Sequence, residues 1–261
     1  MCTLERNEKV VAIIQARTGS TRLPSKVLHM IKGKTVLEHV VSRVKQCKMI
    51  DEVVVATTVE KQDLDIVALC AKMGVSVYCG SEQDVLDRYY QAARLFGADC
   101  VVRITADCPM HDWKIIDLVI EKHFENKSDY TSNTIEETFP DGVDTEVVNF
   151  GVLEQAWMEA DLRSDREHVT PFIRRMDKFT KYSVKNEINY RDERWTLDEP
   201  EDEAFIKEVF DKLYDEDPWF GMDKILELEN RYPELRKINK GIVRNEGYFM
   251  SLQNDKICSD N

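Results

Sequence analysis

Residues Ile13 to Leu28 read IIQARTGSTRLPSKVL, and they continue a short apolar run that begins at Val10. Val10 to Ile14 predict a buried strand, because an unbroken apolar run of this length is typical of the centre of a parallel sheet. The loop that follows contains three cations separated by small residues: Arg17, Gly19, Ser20, Thr21, Arg22, Ser25 and Lys26. Cationic side chains and accessible backbone N–H groups in one loop suit a polyphosphate. The alternative is a solvated basic loop after an edge strand.

The composition favours a small anionic ligand. The chain has 261 residues, 43% of them apolar, which is enough for one sizeable domain. The formal charge is −13, but residues 1–48 hold ten Lys/Arg against three Asp/Glu, a net of +7, so the remainder carries −20. An acidic body argues against nucleic acid as the partner, whereas the basic segment suggests a small anion.

The cysteines and the N-terminus predict a cytoplasmic protein. The seven cysteines include no C-x-x-C pair, so neither a zinc ribbon nor a redox motif is present, and scattered reduced thiols are expected. The N-terminal residues MCTLERNEK are charged, and no apolar run approaches the length of a membrane span. We therefore expect no membrane partner.

Strands and helices alternate through the first half of the chain. Strands are predicted at 52–58, 75–79 and 99–105, and helices at about 36–48, 63–73, 85–96 and around Ile115 to Ile120. This alternation predicts an α/β protein with a parallel sheet covered by helices on both faces. Ligands of such sheets bind outside the carboxyl ends of the strands, so the cationic loop and Asp107 are expected in one cleft.

Two nucleotide-binding motifs are excluded. Gly33-Lys34-Thr35 resembles the end of a Walker A sequence, but the glycine required five residues earlier is replaced by Leu28. No G-x-G-x-x-G is present, so a dinucleotide is not indicated. Thr35 is better interpreted as the N-cap of the helix that follows.

In the second half of the chain, strands and helices alternate less regularly. Strands are predicted at 129–133, 143–150, 179–186 and 194–197, and helices at 151–161, at 165–175 with a break at Pro171, and at 201–214. No flexible linker is found, so we expect one domain over 1–261. Within it, 1–126 would bind nucleotide and 127–252 would bind the acceptor and form dimer contacts. An inserted element near 130–190 is a candidate dimer arm, and the polar tail 253–261 is expected to fray.

Two aspartates are candidate metal ligands. Asp107 ends the fourth apolar strand, and Asp198 ends the short run Trp195-Thr196-Leu197. Each could instead cap a helix. Mg²⁺ commonly takes one or two carboxylates together with phosphate oxygens and water. The pair facing a cationic loop therefore indicates metal-assisted transfer at phosphorus.

Four residues of the second half are candidates for holding a second substrate. Asp144 and Glu146 would share one side of a strand, where they could bind sugar hydroxyls or an amine, or simply face solvent. His168 could serve as a base, but a substrate or structural hydrogen bond is the more common role of a single histidine. Glu167 precedes it.

Several sequence motifs resemble those of a known enzyme family. QARTGSTRLPSK resembles the signature of the cytidylyltransferases that activate sugars, the group containing the Kdo and acylneuraminate enzymes, and the spore-coat polysaccharide SpsF-like branch is the closer match. Further motifs with counterparts there are GSEQDVLDRY at 80–89, RITADCP at 103–109, DGVDTEV at 141–147, REHVTPFI at 166–173, WTLDEPED at 195–202 and NEGYFMSL at 245–252.

The resemblance implies a fold and a reaction. The fold would be a three-layer, Rossmann-like nucleotidyltransferase with a mostly parallel central sheet and an inserted α+β element, in a homodimer. The reaction would be attack of an acceptor oxygen on the α-phosphorus of CTP, with Mg²⁺ as cofactor and release of pyrophosphate. The acceptor would be an acidic sugar or a phosphorylated small molecule.

The resemblance also implies roles for individual residues. Arg17, Arg22, Lys26 and Asp107 would be catalytic. The nucleotide would be bound by Gln15, Ala16, Arg17, Gly19, Ser20, Arg22, Lys26, Ser81 and Thr105. Asp107 and Asp198 would bind Mg²⁺, and Asp144, Glu146, Glu167 and His168 would face the acceptor. Ala106 replaces a glycine of the family motif, so a position that required positive φ would be strained.

Three alternatives remain open on the residues alone. The same fold could transfer a guanylyl or adenylyl group. A glycosyltransferase is disfavoured because the D-x-D sequence Asp63-Leu64-Asp65 starts a helix rather than ending a strand. A non-catalytic nucleotide-binding assembly protein is disfavoured because Asp107 and Asp198 are both present.

Overall fold

A computed structural model describes residues 7–258, and its central feature is one seven-stranded sheet in the order β5-β4-β1-β6-β8-β7-β9. A separate two-stranded hairpin pairs β2 with β3. The strands are β1 Val10–Gln15, β2 Met30–Ile31, β3 Lys34–Thr35, β4 Glu52–Thr58, β5 Ser76–Gly80, β6 Cys100–Thr105, β7 Tyr130–Ser132, β8 Glu146–Asn149 and β9 Lys181–Ser183.

The sheet is mostly parallel, as predicted. Strand β1 lies between β4 and β6 and is parallel to both, whereas β8 is antiparallel to its neighbours β6 and β7. The three strands of the irregular second half thus extend the same sheet. The predicted α/β class and mostly parallel sheet are confirmed.

Helices cover both faces, because β1 sends alternate apolar side chains in opposite directions. Val10, Ala12 and Ile14 pack in one fully buried cluster, and Val11 and Ile13 pack in the other. The helices are α1 Val36–Val44, α2 Leu64–Met73, α3 Val85–Leu95, α4 Trp113–Asn126, α5 Phe150–Glu159, α6 Arg163–His168, α7 Pro171–Arg175, α8 Pro200–Leu213, α9 Met222–Arg231 and α10 Glu246–Gln253.

Local signals place several helix ends correctly. The Thr35 side chain accepts a hydrogen bond from the Glu38 backbone, and Glu38 reciprocates, forming a capping box at the start of α1. Gly74 ends α2 in the left-handed conformation, with φ of 60°. Pro171 begins α7, which confirms the predicted break between two helices.

The predicted strand at 194–197 is wrong. In its place a single β-bridge joins Arg194 to Asp141, and the Trp195 N–H donates to the Asp141 carbonyl at 2.6 Å. The segment then turns away from the sheet to meet Asp107 instead of pairing with a strand. The predicted strand at 143–150 is also too long, since β8 starts at Glu146 and α5 starts at Phe150.

The last described residues contact the start of α6. The backbone N–H of Cys258 donates to the Asp161 carbonyl at 2.6 Å, and that of Arg163 donates to the Lys256 carbonyl at 2.9 Å. These bonds join residues 256–258 to the segment around the start of α6; fraying of the tail stays a prediction. Positions 259–261 of the predicted tail lie outside the described residues.

Free cysteines in the described part of the chain, as expected for reduced thiols, include Cys47, Cys70, Cys79, Cys108 and Cys258. Within residues 7–258, none of the helices combines the length and apolar character needed to cross a membrane.

Replacing Gly142 with alanine should destabilise the fold. Gly142 has φ of +113°, and an added Cβ would lie 2.6 Å from the Trp195 carbonyl carbon. Backbone strain of this kind costs about 1–3 kcal/mol, so the free energy of unfolding in urea should fall by that amount. Gly151→Ala is the matched control, because that Cβ would meet nothing within 4 Å and α5 would gain helix propensity. Equal unfolding midpoints for the two variants would contradict the prediction.

Candidate active site

A cleft of about 760 Å³ opens at the carboxyl ends of the central strands. Gln15 at the end of β1 pairs in register with Thr105 at the end of β6, so the two loops that follow leave the sheet side by side. The side chain of Tyr89 bridges β1 and β6 near these ends. Its hydroxyl lies 3.2 Å from the Ile13 carbonyl oxygen and 3.0 Å from the Ile104 carbonyl oxygen. The two loops predicted to share a cleft do so.

The cationic loop is held in shape by a buried carboxylate. Asp63 accepts hydrogen bonds from the Thr18 backbone at 2.8 Å and from the Thr18 hydroxyl at 2.6 Å. The Thr18 carbonyl in turn accepts from the backbones of Ser20 and Ser25. Ser25 adopts φ of 55°, an uncommon conformation for a residue other than glycine. The loop is therefore a defined structure and not a flexible basic turn.

Lys26 lies between the two predicted metal ligands. Its Nζ donates to Asp107 Oδ2 at 2.7 Å and to Asp198 Oδ1 at 2.6 Å, and its side chain is 12% exposed. Burial alone would lower the pKa of Lys26, but the charges of the two aspartates outweigh it and raise the pKa above its ordinary value. Conversely, burial would raise the pKa of Asp107, but Lys26 holds it well below the usual range.

The backbone brings the two aspartates together. The Leu197 N–H donates to the Asp107 carbonyl at 2.9 Å, which joins the segment before Asp198 to the loop after β6. Neither aspartate has the alternative role of helix cap. Glu199 caps α8, and the nearest helix after Asp107 is α4, which is capped by Asp112. Both carboxylates contact the Lys26 ammonium instead.

Arg194 orients Asp198 through a buried ionic network. Its guanidinium donates to Asp202 at 2.9 Å through two nitrogens, to Asp141 at 3.1 Å and to Asp198 Oδ2 at 3.2 Å. Asp202 also accepts from the backbone N–H groups of Asp198 and Glu199, both at 3.0 Å. This network was not foreseen, although an arginine directly before WTLDEPED was a possible signal.

Replacing Asp202 with asparagine should destabilise the protein, because it removes the charge from several bonds to the buried Arg194. Hydrogen bonds to charged groups contribute about 1.5–3 kcal/mol each, and the free energy of unfolding should fall by that order. Glu208→Gln is the control, since Glu208 is half-exposed and pairs loosely with Lys212 at 3.6 Å. Urea titration of both variants measures the difference, and a change below about 0.5 kcal/mol for Asp202→Asn would contradict the expectation.

The other cations of the loop are paired with exposed or half-exposed carboxylates. Arg22 donates to Glu199 at 2.9 Å and to Glu246 at 3.3 Å and also lies 3.3 Å from Asp198, and Arg17 lies 3.4 Å from Glu82. Such half-exposed pairs are weak in water, so a polyanionic ligand could exchange with these carboxylates at small cost.

A second wall of the cleft comes from α6 and α10. His168 Nε2 lies 3.0 Å from the Ser251 hydroxyl, which donates to Glu167 at 3.1 Å. Burial lowers the pKa of His168 below its ordinary value. The next residue, Val169, has φ of 74°, and the Thr170 N–H donates back to the His168 carbonyl at 2.9 Å. A β-branched residue in this conformation is strained, and strain of this kind accumulates at functional sites.

The predicted site residues divide into two groups. Those that line the cleft are Gln15, Ala16, Arg17, Gly19, Ser20, Arg22, Lys26, Thr105, Asp107, Glu167, His168 and Asp198. Three do not line it: Ser81, Asp144 and Glu146.

Each of the three has a visible structural contact. The Ser81 carbonyl accepts from Arg88 at 2.7 Å, and Asp144 accepts from Arg244 at 2.7 Å. Glu146 is buried beside Tyr130 and Arg103. Its carboxylate forms an ion pair with Arg103, which itself lines the cleft. Their roles with nucleotide or acceptor stay predictions.

Arg103 is a cleft residue that the sequence interpretation did not single out. It lines the cleft, pairs with Glu146 and lies 3.3 Å from the Gln15 side chain. A lone cation in the apolar run Cys100 to Ile104 was a usable signal. Ala106, in contrast, is not among the non-glycine residues with positive φ in the described chain, so the strain considered there does not arise.

The site residues fit a divalent cation in their chemistry. Asp107 and Asp198 come from different loops, both contact the same ammonium group, and both offer hard oxygen donors of the kind Mg²⁺ prefers. No larger cluster of His, Cys, Asp and Glu suited to a metal is found among residues 7–258. A cation here would depend on ligand oxygens for the rest of its coordination.

A parallel α/β sheet with a cationic loop and paired aspartates at its carboxyl edge defines a nucleotidyltransferase. The family model for cytidylyltransferases matches residues 11–242. The chain therefore belongs to the cytidylyltransferase family, and the predicted resemblance is confirmed.

Individual relatives are similar in sequence to this chain over most of their length. An uncharacterised protein of Methanocaldococcus jannaschii is 37% identical, covering 92% of this chain and 98% of its own. The spore coat polysaccharide biosynthesis protein SpsF of Bacillus subtilis is 34% identical, covering 86% of this chain and 95% of its own. The solved structure of a cytidylyltransferase from Leptospira borgpetersenii superposes with a TM-score of 0.85 at 33% identity, covering 91% of this chain and all of that one.

Proposed function

We propose that this protein is a Mg²⁺-dependent cytidylyltransferase that transfers CMP from CTP to an anionic small molecule and releases pyrophosphate. The observation that carries the proposal is the Lys26 ammonium held between Asp107 and Asp198, next to a loop with two further arginines. The acceptor class is an acidic sugar or a phosphorylated compound. The name of the B. subtilis relative supports a role in making a precursor of a surface polysaccharide.

In the proposed reaction, an acceptor oxygen forms a bond to the α-phosphorus while the bond from that phosphorus to the bridging oxygen of pyrophosphate breaks. The anionic oxygens around phosphorus repel the incoming oxygen until cations neutralise them. Arg17, Arg22 and Lys26 would do so and would stabilise the leaving pyrophosphate. A carboxylate or phosphate acceptor is already ionised, so no general base is required; a hydroxyl acceptor would need one.

Asp107 and Asp198 would hold Mg²⁺. The metal would supply Lewis-acid stabilisation of charge on the phosphate oxygens. In this structure, the positive charge of Lys26 offsets the negative charges of the two carboxylates. With the metal on the two carboxylates, Lys26 would be free to contact the triphosphate.

The test is to incubate the purified protein with Mg²⁺, each of the four nucleoside triphosphates, and a panel of acidic sugars and sugar phosphates. We expect release of pyrophosphate with CTP and at least one acceptor, and the largest thermal shift with CTP. A larger shift and faster turnover with GTP or ATP would favour guanylyl or adenylyl transfer. Failure to bind CTP, with no pyrophosphate from any pair, would refute the proposal.

Two other expectations stay predictions. The family resemblance implies a homodimer, which light scattering would test. The charged N-terminus and scattered cysteines imply a cytoplasmic location, which fractionation of the source cells would test.

A further inference from the structure

Helix α10 lies along the cleft in a segment that is attached to the rest of the protein at both ends. Before the helix, the Arg244 guanidinium donates to Asp144 at 2.7 Å. After the helix, Asp255 accepts from the Ser164 backbone at 3.0 Å and from the Ser164 hydroxyl at 2.7 Å. We call the segment between these two attachments, residues 245–254, the strap.

The strap itself packs loosely on the protein. None of the α10 residues is buried, and the apolar side chains of Phe249, Met250 and Leu252 are about half-exposed. Asn245, where the strap begins, has φ of 59°, an uncommon conformation for a residue other than glycine. Because α10 removes little apolar surface from water, its position depends mainly on a few polar contacts.

One of these contacts joins the strap to the cationic loop. The Glu246 carboxylate, which lines the cleft, accepts a hydrogen bond from Arg22 at 3.3 Å. Within residues 7–258 it has no other hydrogen bond or ion pair, and its side chain is 49% exposed. The Ser251 hydroxyl makes a second contact, with His168 and Glu167 on α6. The strap therefore connects the phosphate-binding loop to the opposite wall of the cleft.

The other two carboxylates around Arg22 are fixed by further bonds. Asp198 also accepts from Lys26 at 2.6 Å, and Glu199 caps α8. Glu246 is thus the member of this group that can leave Arg22 without breaking another hydrogen bond. A phosphate group brings more negative charge and more acceptor oxygens to a guanidinium than one carboxylate does, so it would displace Glu246.

We propose that Glu246 is an internal competitor of the substrate's phosphate groups for Arg22, and that the strap is released when those phosphates bind. The contact forms again when the phosphates leave. The proposal rests on the phosphate-binding role given to the cationic loop in the proposed function, and it adds an autoinhibitory contact to that site.

Inorganic tripolyphosphate tests the competition without a base or an acceptor. Its Kd and that of CTP are measured by calorimetry in the absence of Mg²⁺. Glu246→Gln should lower both Kd values by about two- to fivefold, the effect of one half-exposed ion pair. Glu227→Gln is the matched control and should change neither value, since Glu227 is an exposed carboxylate on α9 that pairs with Lys224 at 2.9 Å and lies outside the cleft.

A double-mutant cycle separates the contact with Arg22 from the general effect of removing a negative charge near the cleft. In an Arg22→Gln background, Glu246→Gln should lose most of its effect on the Kd of tripolyphosphate, because the cation that both anions compete for is gone. An equal gain in affinity in both backgrounds, or no gain in the presence of Arg22, would overturn the proposal.

Hydrogen exchange of the backbone amides of residues 246–254 measures the release of the strap. A bound ligand usually slows exchange around its site, and tripolyphosphate should do so in the loop 17–26. In α10 we expect the opposite, faster exchange, because the helix loses a contact that holds it. In Glu246→Gln, exchange in α10 should be fast already and change little on binding. Slower exchange in α10 of the wild type on binding would overturn the proposal.

The proposed function and the strap fail in different ways. A protein that binds tripolyphosphate but no nucleotide contradicts the proposed function, whereas the measurements on Glu246 still decide the role of the strap. A protein that binds CTP and releases pyrophosphate, but whose affinity for tripolyphosphate does not respond to Glu246→Gln, contradicts the strap alone. A protein that binds neither CTP nor tripolyphosphate contradicts both.

Discussion

Replacing Lys26 with methionine is expected to lower the rate of nucleotidyl transfer by roughly 10²–10³-fold. The magnitude is that of removing one preorganised group that stabilises developing charge in a transition state. Lys26 is the cation that both Asp107 and Asp198 contact, at 2.7 Å and 2.6 Å, so its loss also leaves two neighbouring carboxylates without their shared counterion. Methionine retains most of the aliphatic side chain, which limits the change to the ammonium group.

Pyrophosphate release at saturating CTP measures this prediction, with Lys45→Met as the control. Lys45 is an exposed lysine at the end of α1 and lies outside the cleft. A second readout separates catalysis from simple unfolding. If the two carboxylates repel each other in Lys26→Met, added Mg²⁺ should raise its thermal midpoint more than that of the wild type. A variant with more than a tenth of wild-type activity, or with no greater response to Mg²⁺, would show that Lys26 lacks this role.

Replacing Asp107 with asparagine is expected to reduce transfer by a similar factor and to move the Mg²⁺ dependence to higher concentrations. The substitution keeps the shape of the side chain but removes the charge that faces Lys26 and would face the metal. CTP binding measured without Mg²⁺ should be largely retained, because the cationic loop is unchanged. The variant should therefore lose transfer activity while it still binds CTP.

The control for Asp107→Asn is Asp65→Asn, at an exposed carboxylate on α2. The pH profile gives an independent check. Burial acts to raise the pKa of Asp107, but the charge of Lys26 and its hydrogen bond lower it below the usual range. The carboxylate therefore stays ionised, and no loss of activity from its protonation is expected above about pH 5. An unchanged Mg²⁺ dependence in Asp107→Asn would contradict its assignment as a metal ligand.

The features that the sequence predicts well depend on local or regular patterns. The buried run Val10 to Ile14 predicts a central strand because only a strand covered on both faces can bury every residue. The positions of the cationic loop and Asp107 then follow from the rule that parallel strands end at the same edge. Asp198 was also placed correctly, but for a partly wrong reason, since no strand precedes it.

The features that the sequence does not predict depend on contacts between distant segments. Arg194 collects three carboxylates that become neighbours only after the chain folds. The apolar alternation of β8 does not show that Glu146 meets Arg103, 43 residues away. Such contacts can be predicted only when the positions of the neighbouring side chains are known.

The strand order has a consequence for the synthesis of the chain. Strand β1 pairs with β4 and β6, and Lys26 contacts Asp198, which lies 172 residues later. Contacts of such long sequence separation form late, because a long loop must close before they become favourable. In a growing chain, Lys26 is therefore made well before Asp107 and Asp198, the two aspartates that balance its charge. The contact of Lys26 with Asp198 cannot form until residue 198 has been made, so truncated chains that end before Asp198 should be inert.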